Sequence, residues 1–191
     1  FDCRKTNEII FHQRQHNGPR FGDLDSASRT QRWIDEQIEL FKVVRANLPL
    51  GSYLPRRDRH VSLAAPKQRE ALIVRGVVMA RKKLWSEAFA DLLAGCSVEG
   101  AQGPLSSAER TAARHLLFSK YGSSEILSDR TVQQGLLDLA GQGPVARELG
   151  RVIARSLIWF IRKDLVAGRP DRSWQYATLA LMLLGGTRTA Q

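Results

Sequence analysis

Apolar residues recur at intervals of three and four along most of this chain, which is the spacing of one face of an α-helix. The clearest stretch is residues 28–48, where Ile34, Ile38 and Phe41 follow one another at helical spacing. No pair of segments alternates apolar and polar residues as half-buried strands do. We therefore expect an all-α fold of six or seven helices joined by short connections.

Residues with known positional preferences mark the helix ends. Ser28 and Ser106 each precede a Gln or Glu by three residues, which is a capping-box signature. Pro66 and Pro144 suit a first helical turn, and Gly168 suits the position after a last turn. The first predicted helix covers residues 28–48. The second covers residues 66–95, with a break near Lys82 or Lys83 that leaves a separate short helix over 86–94. The others cover 106 to about 122, 128–141 with Ser128 as its cap, 144–167 and 173–184.

A chain of 191 residues is most simply one domain. We expect a helical domain over residues 26–186, a short tail over 187–191, and an N-terminal arm over 1–25. Within that arm the apolar run of residues 9–11 is too short for periodicity to separate strand from helix. No run of about 18 uncharged apolar residues occurs, so the sequence predicts no membrane span.

The chain is strongly basic, with 29 Lys and Arg against 19 Asp and Glu and a formal net charge of +10. Arginine accounts for 22 of the 29 basic residues. One interpretation is phosphate recognition, because guanidinium offers a planar fork of donors. The other is the arginine-rich codon usage of a GC-rich genome. Residues 151–191 carry seven basic and two acidic residues, so this region holds half of the net charge.

The segment 144–167 carries the most informative cluster. When its residues are placed at steps of about 100°, four arginines share an arc of about 80°. A tryptophan and a lysine border this arc, and the apolar residues cover much of the rest. Such a face can bind several phosphates with the tryptophan stacking on a base, or it can be a solvated face whose arginines pair with carboxylates. The predicted contact residues are Arg147, Arg151, Arg155, Trp159, Arg162 and Lys163.

Two further cationic clusters are candidate auxiliary contacts. The first lies at the expected helix break and is followed by Trp85, although cations also favour any helix C-terminus. The second lies in the loop after residue 48 and is either a nucleic-acid contact or an ordinary solvated loop. The auxiliary contact residues are Arg81, Lys82, Lys83, Arg56, Arg57 and Arg59.

The chain offers little that is typical of metal or catalytic chemistry. His12 and His16 are four residues apart and Cys3 lies nearby, but the Glu of an H-E-x-x-H motif is missing. Asp35 and Glu39 share a helical face, which more often forms salt bridges than a metal site. No nucleophile elbow or glycine-rich phosphate loop occurs. We expect no catalytic activity, no bound metal and no cofactor.

The two cysteines, Cys3 and Cys96, are far apart in the sequence. A disulfide between them is one alternative. We favour two free thiols in a reducing compartment, either the cytoplasm or the nucleus.

Taken together, these patterns favour a non-catalytic nucleic-acid-binding protein whose binding is dominated by phosphate contacts. The expected partner is RNA or single-stranded DNA, and RNA is slightly preferred over duplex DNA because no helix-turn-helix with a polar recognition helix is apparent. The alternative is a protein–protein interaction module, an adaptor or effector, that docks through the apolar helix 173–184 or the aromatic-bearing helix 28–48. The former helix is either a core element or a contact between two copies of the chain. Attachment of the basic helix to a membrane surface fits less well, because its apolar face is broad.

Overall fold

A computed structural model describes residues 26–59, 64–118, 126, 127 and 129–185, with side chains from residue 31 onward. Within these residues the chain forms seven α-helices and no strand, which confirms the all-α prediction. Two short 3₁₀ segments connect the first helix to the second. The helices are α1 (Ser26–Asn47), α2 (Ala65–Ala80), α3 (Trp85–Cys96), α4 (Ser107–His115), α5 (Arg130–Gly141), α6 (Pro144–Val166) and α7 (Pro170–Gly185).

Three predicted helix boundaries are confirmed. The Ser106 Oγ accepts a hydrogen bond from the Glu109 backbone N–H at 3.1 Å, and the Glu109 carboxylate accepts one from the Ser106 N–H at 2.6 Å. This is the predicted capping box at the start of α4. Lys83 adopts a φ of 66° in the predicted break between α2 and α3. Gly168 follows α6 with a φ of 69°, a left-handed conformation that costs glycine little.

Other boundaries differ from the prediction. The first helix begins at Ser26, two residues before the predicted cap at Ser28. The cap of α5 is Asp129, whose Oδ1 accepts from the Thr131 N–H at 2.9 Å. The predicted cap, Ser128, lies outside the described residues. Aspartate caps a helix as well as serine does, so the residue next to the predicted one takes this role.

The ends of α4 and α7 also differ from expectation. The helix α4 ends at His115, whereas it was predicted to continue to about residue 122; residues 119–125 lie outside the described part of the chain. The last helix begins at Pro170 rather than Ser173. Proline is compatible with a first helical turn, and Ser173 instead lies buried with its hydroxyl donating to the Ile161 carbonyl at 2.9 Å.

Two pairs of helices that follow each other in the chain pack together, and the remaining elements bridge these pairs. The helices α2 and α3 make one pair, and α6 and α7 make the other. The helix α4 packs on both α2 and α6, whereas α5 contacts α3, α6 and α7. Between α2 and α3 the approach is close: a Cβ on Gly76 would lie 2.8 Å from the Leu92 Cγ. The predicted apolar face of α6 is buried in this core; its residues are Val145, Leu149, Val152, Ile153, Leu157 and Phe160.

A buried ion pair, here called the Arg69–Glu109 bridge, joins α2 to α4. The Arg69 Nε donates to the Glu109 Oε1 at 2.7 Å and its Nη2 donates to Oε2 at 2.9 Å. The two residues are 5% and 0% exposed. The same guanidinium donates to the carbonyls of Ala101, Gly103 and Pro104. It therefore anchors both α4 and the connection that leads into it.

A second carboxylate, Asp91 on α3, links α1 and α2 to the fold. Arg75 on α2 and Arg45 on α1 each donate two hydrogen bonds to it. Burial alone raises the pKa of Asp91, but the hydrogen bonds from Arg75 and Arg45 outweigh this effect and bring the pKa below its ordinary value. These contacts stabilise the fold above the ordinary carboxyl range, and that contribution is lost as the pH falls through the lowered pKa.

Removal of the Glu109 side chain should strongly destabilise the protein. The variant E109A leaves the buried Arg69 guanidinium without its carboxylate, which typically costs about 3–5 kcal/mol. The matched variant S106A removes the cap, which typically costs about 1 kcal/mol, together with the 3.0 Å hydrogen bond that the Ser106 Oγ donates to Glu70. Urea denaturation at pH 7 compares the two free energies of unfolding. An E109A cost no larger than that of S106A would contradict the role given to the bridge.

Cys96 is a free thiol in the described part of the chain and is buried. Burial raises the pKa of its thiol to about 11, so very little thiolate exists at pH 8. In a C3S variant we expect the Ellman reagent to react with Cys96 at least tenfold more slowly in the native state than in 6 M guanidinium. Equal rates would show that the thiol is accessible in the native fold.

Candidate functional site

The four arginines predicted on one face of α6 do lie on its exposed surface; we call them the basic ridge (Arg147, Arg151, Arg155 and Arg162). None of the four forms an ion pair or hydrogen bond with another residue in the part of the chain that the structure describes. Consecutive members of the first three are four residues apart, which places them about 6 Å apart along the helix axis. The ridge is therefore a row of solvated guanidinium groups.

Glu148 interrupts the positive charge of this face. It lies at about 100° on the same helical wheel, beside Arg151 and Arg155. Its carboxylate accepts from the Arg110 Nη2 at 3.1 Å and from the Leu105 backbone N–H at 2.9 Å. One acidic side chain of α6 therefore holds the start of α4, and it neutralises an arginine of α4 rather than one of the ridge.

The two helices enclose a cleft of about 440 Å³, which we call the arginine cleft. Four guanidinium groups surround one carboxylate, and one apolar side chain completes the wall. Apart from Arg110, none of these arginines has an ion-pair or hydrogen-bond partner among the described residues. The lining residues are Arg110, Arg114, Glu148, Arg151, Val152 and Arg155.

Sequence reasoning missed the α4 side of this cleft. Arg110 and Arg114 are four residues apart in a helix whose capping box was predicted, so their sharing of one face could have been noticed. What the sequence does not show is which helix that face meets. The Arg69–Glu109 bridge fixes the rotation of α4 about its axis, and Arg110 follows Glu109 at about 100° around the helix.

The far end of the ridge carries an aromatic cluster. Trp159 is 49% exposed, and its ring centroid lies 4.8 Å from that of Phe160 and 5.3 Å from that of Phe118. The Lys163 Nζ lies 5.0 Å from the Trp159 ring centroid, which is a cation–π arrangement. The indole is therefore held in place by its neighbours while about half of the residue remains accessible to solvent.

The cations between α2 and α3 contact the protein itself. The Arg81 Nε donates to the Phe118 carbonyl at 2.8 Å, which places Arg81 beside the aromatic cluster. The Lys82 Nζ lies 4.2 Å from the Phe41 ring centroid and helps to attach α1. Lys83 occupies the left-handed position that turns the chain. Of this predicted auxiliary cluster, Arg81 is the residue that the structure brings towards the ridge.

The loop arginines are at a different place. Arg56 and Arg57 belong to a 3₁₀ segment whose Asp58 pairs with Lys67 on α2 at 2.7 Å. The Arg59 Nε donates to the Leu54 carbonyl at 3.3 Å. None of the three lines the arginine cleft. They remain a separate predicted contact, outside the residues that line the cleft between α4 and α6.

The remaining candidates are the predicted metal ligands, the carboxylates of α1 and a membrane span. The predicted metal ligands Cys3, His12 and His16 lie outside the described residues, and within the described part no group of three or more His, Cys, Asp or Glu could hold a metal ion. On α1, Asp35 accepts from Gln31 at 2.8 Å and Glu39 pairs with Lys42 at 2.7 Å. Among the described helices, none is long and apolar enough to cross a membrane.

Comparison with known proteins adds no relative from which a role could be carried over. No protein-family model, no curated protein sequence and no solved structure matches the chain.

Neutralising the acidic residue of the cleft should increase retention on a polyanion. The variant E148Q preserves the size of the side chain and leaves an oxygen to accept from Leu105, but it removes the one negative charge among four arginines. We expect E148Q to elute from a heparin column at a higher salt concentration than the parent protein. The control E36Q makes the same change of charge on exposed α1. Equal shifts for both variants would show that net charge, and not the cleft, governs retention.

Proposed function

We propose that this protein binds nucleic acid without catalysis, through phosphate contacts made by the basic ridge and the arginine cleft. The observation that carries the proposal is the exposed row of four arginines on α6 that have no carboxylate partner among the described residues. Like charges at four-residue spacing repel each other, and bound phosphates relieve this repulsion. The ridge covers residues 147–162, about 22 Å along the helix, which is long enough to face several phosphates.

RNA or single-stranded DNA is the preferred partner in this proposal. The exposed part of Trp159 stands at the end of the row of arginines, where an unpaired base can stack on it. Base–aromatic stacking requires bases that are not already stacked in a duplex. A duplex would use the phosphate contacts alone, so the tryptophan favours a single strand or an RNA loop.

A second candidate function is protein binding, which the exposed apolar side chains of α7 favour. On α7, Trp174 is 74% exposed and Leu181 is 66% exposed. A groove of about 450 Å³ lies between α5 and α7. Leu137, Leu179 and Met182 are among the residues that line it. Exposed apolar surface of this kind is typical of protein interaction sites. A protein partner or a second copy of the chain bound there would not depend on the ridge.

Salt dependence tests the leading proposal. If about four phosphates are neutralised, the affinity for a single-stranded 12-mer should fall about 50-fold between 50 and 200 mM salt. The variant R151E/R155E should weaken binding at least tenfold and reduce the salt dependence, because two of these contacts become repulsive. Fluorescence anisotropy with RNA, single-stranded DNA and duplex DNA measures both effects.

The control is K42E/R130E, which makes the same change of net charge at exposed positions on α1 and α5. It should bind more weakly than the parent by no more than a few-fold. If R151E/R155E binds as well as this control, the ridge is not the binding site. If the parent protein binds none of the three nucleic acids at low salt, the proposal is wrong and the groove beside α7 becomes the leading candidate.

A further inference from the structure

The arginine cleft contains more positive charge than is needed to neutralise one internal phosphodiester of a nucleic-acid strand. Its four guanidinium groups and one carboxylate leave a net charge of +3 in about 440 Å³. Elsewhere on the ridge, Arg147 and Arg162 are spread along one helix, so each can meet a separate phosphate. In the cleft, by contrast, arginines of two different helices face a common space.

A terminal phosphate fits this concentration of charge better than a phosphodiester. An internal phosphodiester carries one negative charge and has two free oxygens. A terminal phosphate monoester carries close to two charges at pH 7 and has three oxygens that accept hydrogen bonds. Guanidinium groups that approach from opposite sides can each donate two parallel hydrogen bonds to such oxygens. Three of the four guanidinium groups, those of Arg114, Arg151 and Arg155, have no protein partner among the described residues and are free to do so.

We propose that the arginine cleft binds the terminal phosphate monoester of a nucleic-acid strand, while the rest of the basic ridge contacts the phosphodiesters that follow. The inference rests on the proposed function and makes it more specific. Two residues, Arg151 and Arg155, belong to both the cleft and the ridge. Arg162 lies about 10 Å beyond Arg155 along the helix axis, so a strand that starts in the cleft can continue along α6 towards Trp159.

The test compares single-stranded 12-mers of one sequence that differ only at their ends. One ends in hydroxyls, one has a 5′-phosphate, one has a 3′-phosphate, and one has a 5′-phosphate capped as its methyl ester and so carries a single charge there. An internal fluorophore reports binding by anisotropy. We expect one of the two monoesters to bind at least tenfold more tightly than the hydroxyl strand, and the methyl ester to stay within about threefold of it.

The variant R114A assigns this preference to the cleft. Arg114 is exposed, and no described residue pairs with it, so its truncation should not affect folding. In R114A the ratio of affinities for the preferred monoester and the hydroxyl strand should fall to about one. The matched control R130A removes an exposed arginine that lines the groove between α5 and α7, and it should keep the parent ratio.

The outcomes separate this inference from the proposed function. If all four strands bind equally, yet R151E/R155E still weakens binding at least tenfold, the ridge binds nucleic acid and the inference about the cleft is wrong. A preference for a monoester that survives R114A would also overturn it. If no strand binds, both proposals fail. A preference for either the 5′ or the 3′ monoester that is lost in R114A supports the inference and identifies the end that is bound.

Discussion

The buried pairing of Arg69 with Glu109 decides where α4 lies. Burying two charges is costly, and the cost is offset only when the hydrogen bonds of both groups are satisfied. Here the carboxylate receives two donors from the guanidinium and a third from its own capping box. The guanidinium in turn satisfies three carbonyls of the connection that precedes α4. Such a network has few alternative arrangements, so it fixes a helix of only nine residues that has little apolar surface of its own.

The candidate site is a consequence of that placement. With α4 held against α2 on one side, its arginines face α6 on the other. Glu148 completes the arrangement, since it binds both Arg110 and the backbone at Leu105. The cleft is therefore built from residues that are about 40 positions apart in the sequence. The basic ridge needs only α6, whereas the cleft also needs the Arg69–Glu109 bridge.

The ridge depends on one helix and the cleft on two, and this explains which features of the site could be predicted from the sequence. Exposure of the ridge and burial of the opposite face of α6 follow from a period of 3.6 residues, and both were predicted. The capping box at Ser106 is equally local and was also predicted. The contribution of Arg114 to the cleft could not be predicted from the sequence, because it depends on the orientation of α4 relative to α6. The last helix shows the same limit: it is apolar nearly all round, and only packing reveals that Leu183 is buried while Leu181 is exposed.

The proposed function requires that a polyanion binds where α4 and α6 face each other. NMR of the arginine Nε–Hε groups during titration with a single-stranded oligonucleotide tests this most directly, because each guanidinium reports on its own contacts. We predict that the signals of Arg114, Arg151 and Arg155 shift together and saturate at one concentration, while that of Arg130 stays in place. Shifts confined to Arg130 and other arginines outside the cleft, with the three signals unmoved at saturation, would contradict it.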